Sequence, residues 1–440
     1  MEKMFTAISE KMFSELNPGE ILTLSFKGET SQYIRLNNAR IRQTGLVDDA
    51  VLGMQLSKGN RICSGAVTFS TNLTEDITRA GGELQRLRAE LPQLPEDPFI
   101  VKPSGEGSSL EIKTARGLPF DQAVEALLPA MLGVDLVGIW ASGKIYYGSS
   151  NSLGQKHWFE TNTYSLDYSL VASDHKMVKG TFAGTDWDQA AYEKNLAESK
   201  SRLKLMSKQP VKVPPGKYRT WFGPQAVVDF LSTFNWMGLS EAAIQQGCSG
   251  FGRMRNEGAR LSSKLSLSEN FSRGLAPRFN SLGEVAENIS PLINSGELIN
   301  SMVSSRSSAE YGVPSNQAEE SEIFRSLSMD SGDLAEEKIL SELDTGLFLS
   351  NLHYLNWSDV TGGRITGLTR YACFWVDKGE ITGPLDTMRF DDTIYNFFGT
   401  ELERVGADQE LIPDVSTYEG RNSESILCPG MLVNSFALTL

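Results

Sequence analysis

Along the chain the hydrophobic pattern switches between helical and strand periods. Met4, Ile8 and Met12, with Phe5, Phe13 and Leu16, recur at helical spacing until Asn17-Pro18-Gly19. That spacing predicts an amphipathic first helix with a sharp stop. Alternating segments near 21–27, 32–42, 50–56 and 61–69 predict four strands, the last two turned by Gly59-Asn60. A helix over about 75–91 follows. A second unit repeats the order: a helix over 120–132 behind Pro119, strands near 136–142, 144–148, 159–172 and 177–187, and a long helix over 188–206. The expected unit is thus helix, four strands, helix, occurring twice. Pro92, Pro95, Pro98 and Pro103 mark the linker between the copies.

A second boundary falls near Pro210–Pro215, giving domains at 1–210 and 211–440. Past it, 226–246 reads as a helix with Val227, Val228, Leu231, Phe234 and Leu239 toward a core. Residues 304–333 are polar, acidic and weakly periodic, and read as a surface loop. Their acids, Glu319, Glu320 and Glu322, with Glu336 and Glu337, read as a solvated face. From residue 345 the pattern is β to the end. Segment 369–376 alternates, Asp377-Lys378-Gly379-Glu380 supplies hairpin chemistry, and the tail SILCPGMLVNSFALTL reads as a buried last strand. The fold class expected is α+β: an N-terminal α+β domain and a C-terminal, mainly antiparallel β domain.

Composition narrows the function classes. Hydrophobic residues make up 40% and charged residues 22% of the 440, which suits a globular protein. The net charge of −14 repels a polyanion, and no Lys/Arg run offsets it, so direct nucleic-acid binding is not expected. The N-terminus lacks the apolar run of a signal peptide. The most apolar stretch, 126–141, holds Pro129, Gly133 and Asp135 and is too short for a bilayer. Cys63, Cys248, Cys373 and Cys428 lie far apart without a C-x-x-C pair. They read as reduced thiols in a cytoplasmic protein without a membrane contact.

Candidate chemistry is sparse. A zinc peptidase needs convergent imidazoles and a base for the bound water. The chain has three histidines, His157, His175 and His353; none precedes a Glu and no two are close. Gly247-Cys248-Ser249-Gly250-Phe251 resembles a nucleophile elbow superficially, but Phe251 stands where the second Gly belongs, and a turn is the simpler reading. No glycine-rich stretch fits a phosphate loop or dinucleotide fingerprint. No catalytic, metal or cofactor-binding residue is therefore assigned, and no cofactor is expected.

The run Gly367-Leu368-Thr369-Arg370, an aromatic strand, then DKGEITGPLDTMRF resembles the C-terminal signature of the TldD/PmbA family. YIRLNNARIRQTG, YYGSSNSLG, LSENFSRGLAPRFNSLGE and LINSGELINSMVSSRSSAEYGVPSN resemble further family segments in order, covering most of the chain. Members were named as modulators of DNA gyrase and are regarded as metallopeptidases with non-catalytic partner subunits. The catalytic branch resembles an H-E-x-x-x-H helix early in the second domain, with a late cysteine. Here that helix, AVVDFLSTFNWMGLSEAAIQQ, has no histidine, and its acids Asp229 and Glu241 lack imidazole partners. Cys428 reads as a buried apolar thiol rather than a residual ligand.

The resemblance implies a PmbA/TldE-like subunit. It would form a homodimer, or a heterodimer with a zinc-bearing TldD-like paralogue, and take part in cytoplasmic peptide proteolysis. Arg370 and Arg389 are expected to pair with a carboxylate of the fold, or else with a peptide C-terminus; His353 reads as an exposed or core-satisfied histidine, with ligand contact as the alternative. Two other readings stand beside this one: a hydrolase built on Cys248 or Cys428, and a stand-alone homodimeric peptide-binding or scaffold protein.

Overall fold

The computed structural model describes residues 1–172 and 176–439. The N-terminal half runs α1 (Glu2–Ser14), β1 (Glu20–Asn37), β2 (Arg40–Lys58), β3 (Arg61–Thr68), α2 (Leu73–Glu90), β4 (Ser108–Ile112), α3 (Ala123–Met131), β5 (Asp135–Asn151), β6 (Lys156–Val171), β7 (Met177–Gly184) and α4 (Gln189–Met206). Helix, three strands, helix occurs twice. The two copies join where β1 and β5 pair antiparallel, giving one seven-stranded sheet with the path β3-β2-β1-β5-β6-β4 and β7 also on β6.

Each unit has three long strands, not the four expected from sequence. Gly28 and Gly143 look like breaks between short strands, yet both lie inside continuous ones. Each is needed for close backbone approach. A Cβ on Gly28 would lie 2.7 Å from that of Ala50, and one on Gly143, whose φ is +137°, would lie 2.1 Å from the Thr30 carbonyl oxygen. The real turn is Asn38-Ala39, with φ of 52° and 51°, the paired positive values of a tight hairpin.

The C-terminal half runs β8 (Gly216–Phe222), α5 (Pro224–Thr233), α6 (Glu241–Gln245), α7 (Gly252–Glu257), β9 (Leu267–Asn270), β10 (Ile289–Asn294), β11 (Glu297–Leu298), α8 (Ser305–Tyr311) and β12 (Ser326–Met329). It closes with α9 (Ile339–Leu343), β13 (Gly346–Asp359), β14 (Arg364–Asp377), β15 (Glu380–Pro384), β16 (Arg389–Thr393), β17 (Leu402–Pro413) and β18 (Ser425–Leu438). These strands form an eleven-stranded sheet, mostly antiparallel, with parallel pairs at β12–β18 and β13–β8. As the alternation of the tail predicts, β18 is buried; it contacts β8, β12, β16 and β17.

Two sequence expectations fail here. The helix expected over 226–246 is broken into α5 and α6. Met237 takes φ of 57°, and Gly238 packs so closely on Phe234 that a Cβ would lie 2.4 Å from its carbonyl oxygen. Residues 304–333 are irregular and partly exposed as expected over 312–325, but not throughout. They contain α8 and the fully buried β12. Glu322 is buried rather than solvated: its carboxylate accepts from the Ser304 N–H and hydroxyl on one oxygen, and from the Ser240 hydroxyl and Ala242 N–H on the other. A buried carboxylate fully used as a main-chain acceptor substitutes for regular secondary structure and gives no periodic signal.

The halves meet through two copies of one turn. In Asn151-Ser-Leu-Gly-Gln155, the Asn151 side-chain oxygen accepts from the Leu153 N–H at 3.0 Å, and Gly154 takes φ of 113°. In Asn280-Ser-Leu-Gly-Glu284, the Asn280 side-chain oxygen accepts from Leu282 at 3.0 Å, and Gly283 takes φ of 81°. The loops touch: Ser149 donates to the Ser281 carbonyl, and Gln155 donates to that of Gly283.

Candidate functional site

The site grows from an irregularity in β14. Leu349 of β13 faces Cys373, and Asn351 faces Arg370, so two residues of β14, Tyr371 and Ala372, oppose one of β13. This is a β-bulge, a device that redirects side chains beside functional surfaces. Tyr371 sits within it at φ of 70°, a strained value for a bulky residue. On the other side of β14 the chain bows out over Leu385–Met388, between β15 and β16. Leu385 N–H returns to the Cys373 carbonyl at 2.9 Å and Thr369 N–H to that of Met388 at 2.9 Å.

Between this bow, the bulge and the start of β7 lies a cavity of about 320 Å³. Arg370, Tyr371, Asp386, Thr387 and Lys176 line it with Met177, Met206, Leu368 and Leu385. The Arg370 guanidinium lies 5.5 Å from the Tyr371 ring centroid and has no ion-pair partner among the described residues. The expected pairing with a carboxylate of the fold is therefore not made. Arg389 also lacks one: it donates to the Thr366 hydroxyl at 3.2 Å, on the exposed surface. His353, on β13, stands beside Tyr371 with ring centroids 5.9 Å apart. Burial, then the positive charges of Arg370 and Lys179, hold its imidazole below the usual histidine range.

The other sequence candidates are scattered. Asp229 on α5 accepts from the Leu352 N–H at 2.8 Å and from Gln225 at 3.3 Å. Burial pushes its carboxyl up to about 6. Glu241 on α6 is held by Arg255 at 2.6 Å. Burial acts to raise it, but the bonds from Arg255, Ser301 and Gln245 win and leave it below the usual range. His157 is buried in the N-terminal half, its Nδ1 2.8 Å from the Ser109 hydroxyl and its ring stacked on Phe279. His175 lies outside the described residues.

Cys428 is fully buried, and burial pushes its thiol well up. Cys373, lining the cavity, is pushed up to about 12 by burial. Cys248 is exposed, 3.6 Å from the Gln246 carbonyl oxygen. Ser249 is buried and bonded within its turn: it donates to the Gly238 carbonyl and accepts from the Phe251 N–H.

Residues 215–440 match the model of the PmbA/TldA metallopeptidase C-terminal domain. The chain belongs to the PmbA/TldD family. Solved structures share its fold, three of them as follows. The candidate modulator of a DNA gyrase from Thermotoga maritima superposes with a TM-score of 0.78 at 15% identity, over 100% of both chains. TldE from Thermococcus kodakarensis gives 0.76 at 14%, over 99% of this chain and 100% of that one. The candidate modulator of DNA gyrase from Bacteroides thetaiotaomicron gives 0.77 at 15%, over 100% and 98%. No curated protein sequence matches the chain.

A metallopeptidase of the PmbA/TldD family calls for a metal-activated water, and the residues present do not fit one. Among the described residues, no three His, Cys, Asp or Glu side chains gather as a ligand set. The one ionisable side chain of α5, Asp229, is already an acceptor for the main chain and a neighbouring amide. Its other residues Ala226, Val227, Val228, Phe230 and Leu231 are buried in the core. No helix among the described residues is long and apolar enough to cross a membrane.

Proposed function

We propose that this PmbA/TldD-family chain is a non-catalytic, PmbA/TldE-like subunit. It pairs with a zinc-bearing paralogue in cytoplasmic peptide proteolysis and contributes a surface that holds peptide. The observation that carries this reading is the chemistry of α5. This helix opens the C-terminal half with an apolar core face and a single, already bonded carboxylate. Nothing on it lowers the pKa of a water or supplies a base–nucleophile pair. The β14 cavity, by contrast, has walls of polar and apolar side chains and an arginine without an ion-pair partner among the described residues.

An uncovered sheet edge supports the pairing. β3 covers only Val51–Lys58 of β2, leaving 40–49 without a neighbour on that side. Nine of those ten residues are exposed, Leu46 at 75%. Arg40 and Arg42 at one end and Asp48 and Asp49 at the other make no ion pair among the described residues. An open strand is a template for another chain, and an antiparallel partner with the same charge order would set basic against acidic ends. We assign this edge to a second chain of the family.

The test is co-expression with a zinc-bearing paralogue from the same source. The chain alone should give no peptide hydrolysis. Together they should co-elute and hydrolyse peptides, and Leu46→Glu should weaken the complex at least tenfold without lowering the chain's own Tm. A chain that stays monomeric by light scattering and ignores the paralogue would sink the subunit reading. Metal-independent turnover lost in Cys248→Ala would replace it with a cysteine hydrolase.

A further inference from the structure

We propose that the β14 cavity is a carboxylate pocket: it holds the C-terminal carboxylate of an extended peptide on Arg370, with the last side chains against Met177, Met206, Leu368 and Leu385. This rests on the peptide-holding reading above and goes beyond it by naming the end of the peptide and its anchor.

Three independent observations converge on Arg370. The first is geometric. The Tyr371-Ala372 bulge displaces β14 from the regular ladder next to Arg370, at the cost of a tyrosine in left-handed backbone. Such strain persists only where the surroundings enforce it.

The second is electrostatic. Of the signature's two arginines, Arg370 lines this cavity and Arg389 does not, and among the described residues Arg370 has no carboxylate partner. Asp386 lines the same cavity, yet the two do not meet within ion-pair distance. Beside burial, the charges of Arg370 and Lys179 disfavour the charged form of His353, so the Arg370 side of the cavity is unfavourable to a further cation. An anion is favoured here. A guanidinium facing an anion is best satisfied by the fork of a carboxylate.

The third is the lining. The volume of about 320 Å³ takes roughly two residues, and four apolar side chains line it beside Arg370. Thr369 is not available to the ligand, since its hydroxyl already accepts from the Met388 N–H at 2.9 Å. Thr387 and Asp386 are the polar groups left for peptide N–H and side-chain contacts. β7, which begins at Met177, pairs only with β6 among the described residues, so its other edge has main-chain groups for an extended chain.

The test is fluorescence anisotropy with the full chain and an N-terminally labelled pentapeptide, Gly-Gly-Gly-Leu-Leu, as free acid and as C-terminal amide. The free acid should bind at least tenfold more tightly. Arg370→Gln should erase that preference, Arg370→Lys should keep part of it, and Arg389→Gln should leave it intact. Sodium acetate should not displace the acid, which separates a peptide terminus from carboxylates at large. Arg370 is exposed, so its variants should keep the parent Tm. Equal binding of acid and amide, or a preference that survives Arg370→Gln, overturns the carboxylate pocket and leaves the peptide reading standing. Failure of both peptides to bind, with the chain alone and with its paralogue present, overturns the peptide reading as well.

Discussion

Gln155 donates to the Gly283 carbonyl at 2.7 Å, so one Asn-Ser-Leu-Gly turn grips the other across the two halves. The same Gln155 amide donates to the Glu106 carbonyl at 3.2 Å, and its oxygen accepts from Asn151 at 2.9 Å. Gln155→Ala removes one side chain, leaves the Gly283 carbonyl without that donor, and takes one of two acceptors from the Asn151 amide, which keeps the Ser104 carbonyl. It should cost about 2–3 kcal/mol, read as a shifted urea midpoint. Gly283→Ala should cost at least as much, because its Cβ would lie 2.1 Å from the Gln155 side-chain oxygen at a φ of +81°. An unchanged midpoint in both variants would deny these turns a role in joining the halves.

Arg421 is the second tie between the halves. Its buried guanidinium donates to the Ser31 hydroxyl at 3.1 Å, the Gly143 carbonyl at 3.1 Å and the Thr163 carbonyl at 2.7 Å. Arg421→Ala should lose about 3 kcal/mol or more, because main-chain acceptors are left dry. Arg421→Lys should recover only part, since one ammonium cannot span acceptors on β1, β5 and β6. Limited proteolysis should show the halves separating first. If the lysine variant matches the parent in stability, the fork geometry is not what matters.

Asp229 should make stability depend on pH in a defined sense. Burial raises its carboxyl to about 6, above the unfolded value of about 4. The folded chain therefore holds this proton more tightly than the unfolded chain. Its contribution is complete below pH about 4 and is lost as pH rises through about 6. Asp229→Asn mimics the protonated form. It should match the parent at acid pH and exceed it increasingly up to neutral pH. Parallel denaturation curves at both ends of that range would contradict this.

The cysteines should divide three to one. Cys63, Cys373 and Cys428 are buried, while Cys248 is exposed. A maleimide should label one site in the folded chain, identified as Cys248 by peptide mapping, and the other three only on unfolding. Rapid labelling of Cys428 in the folded chain would revive it as a reactive group.

Much of the fold was legible because periodicity is local. The α4 and α2 helices, the β14–β15 hairpin and the buried tail each announce themselves by period or by the Lys378-Gly379 turn. The merged strands were not legible. A glycine required for close strand approach, as at Gly28, has the same letter as one that turns the chain. The buried part of 304–333, Glu322 and 324–329, was missed for a related reason. Serine and glutamate look like solvent-facing residues, and only the folded chain shows Glu322 binding four donors, two of them from residues 80 and 82 positions away and two from Ser304, 18 positions away.

The sequence by itself determined the family signature, the two-half α+β organisation, and the want of closely spaced histidines anywhere along the chain. Each follows from residue identity and spacing along one segment. Tertiary structure decided what depends on distant segments meeting. It pairs the two Asn-Ser-Leu-Gly turns, seals Cys428 in the core, and leaves Arg370 without an ion-pair partner among the described residues, in a cavity bounded by β7, β14 and the bow over 385–388. Whether an arginine finds a carboxylate within its own chain is set by three-dimensional distance, and no local pattern encodes that distance.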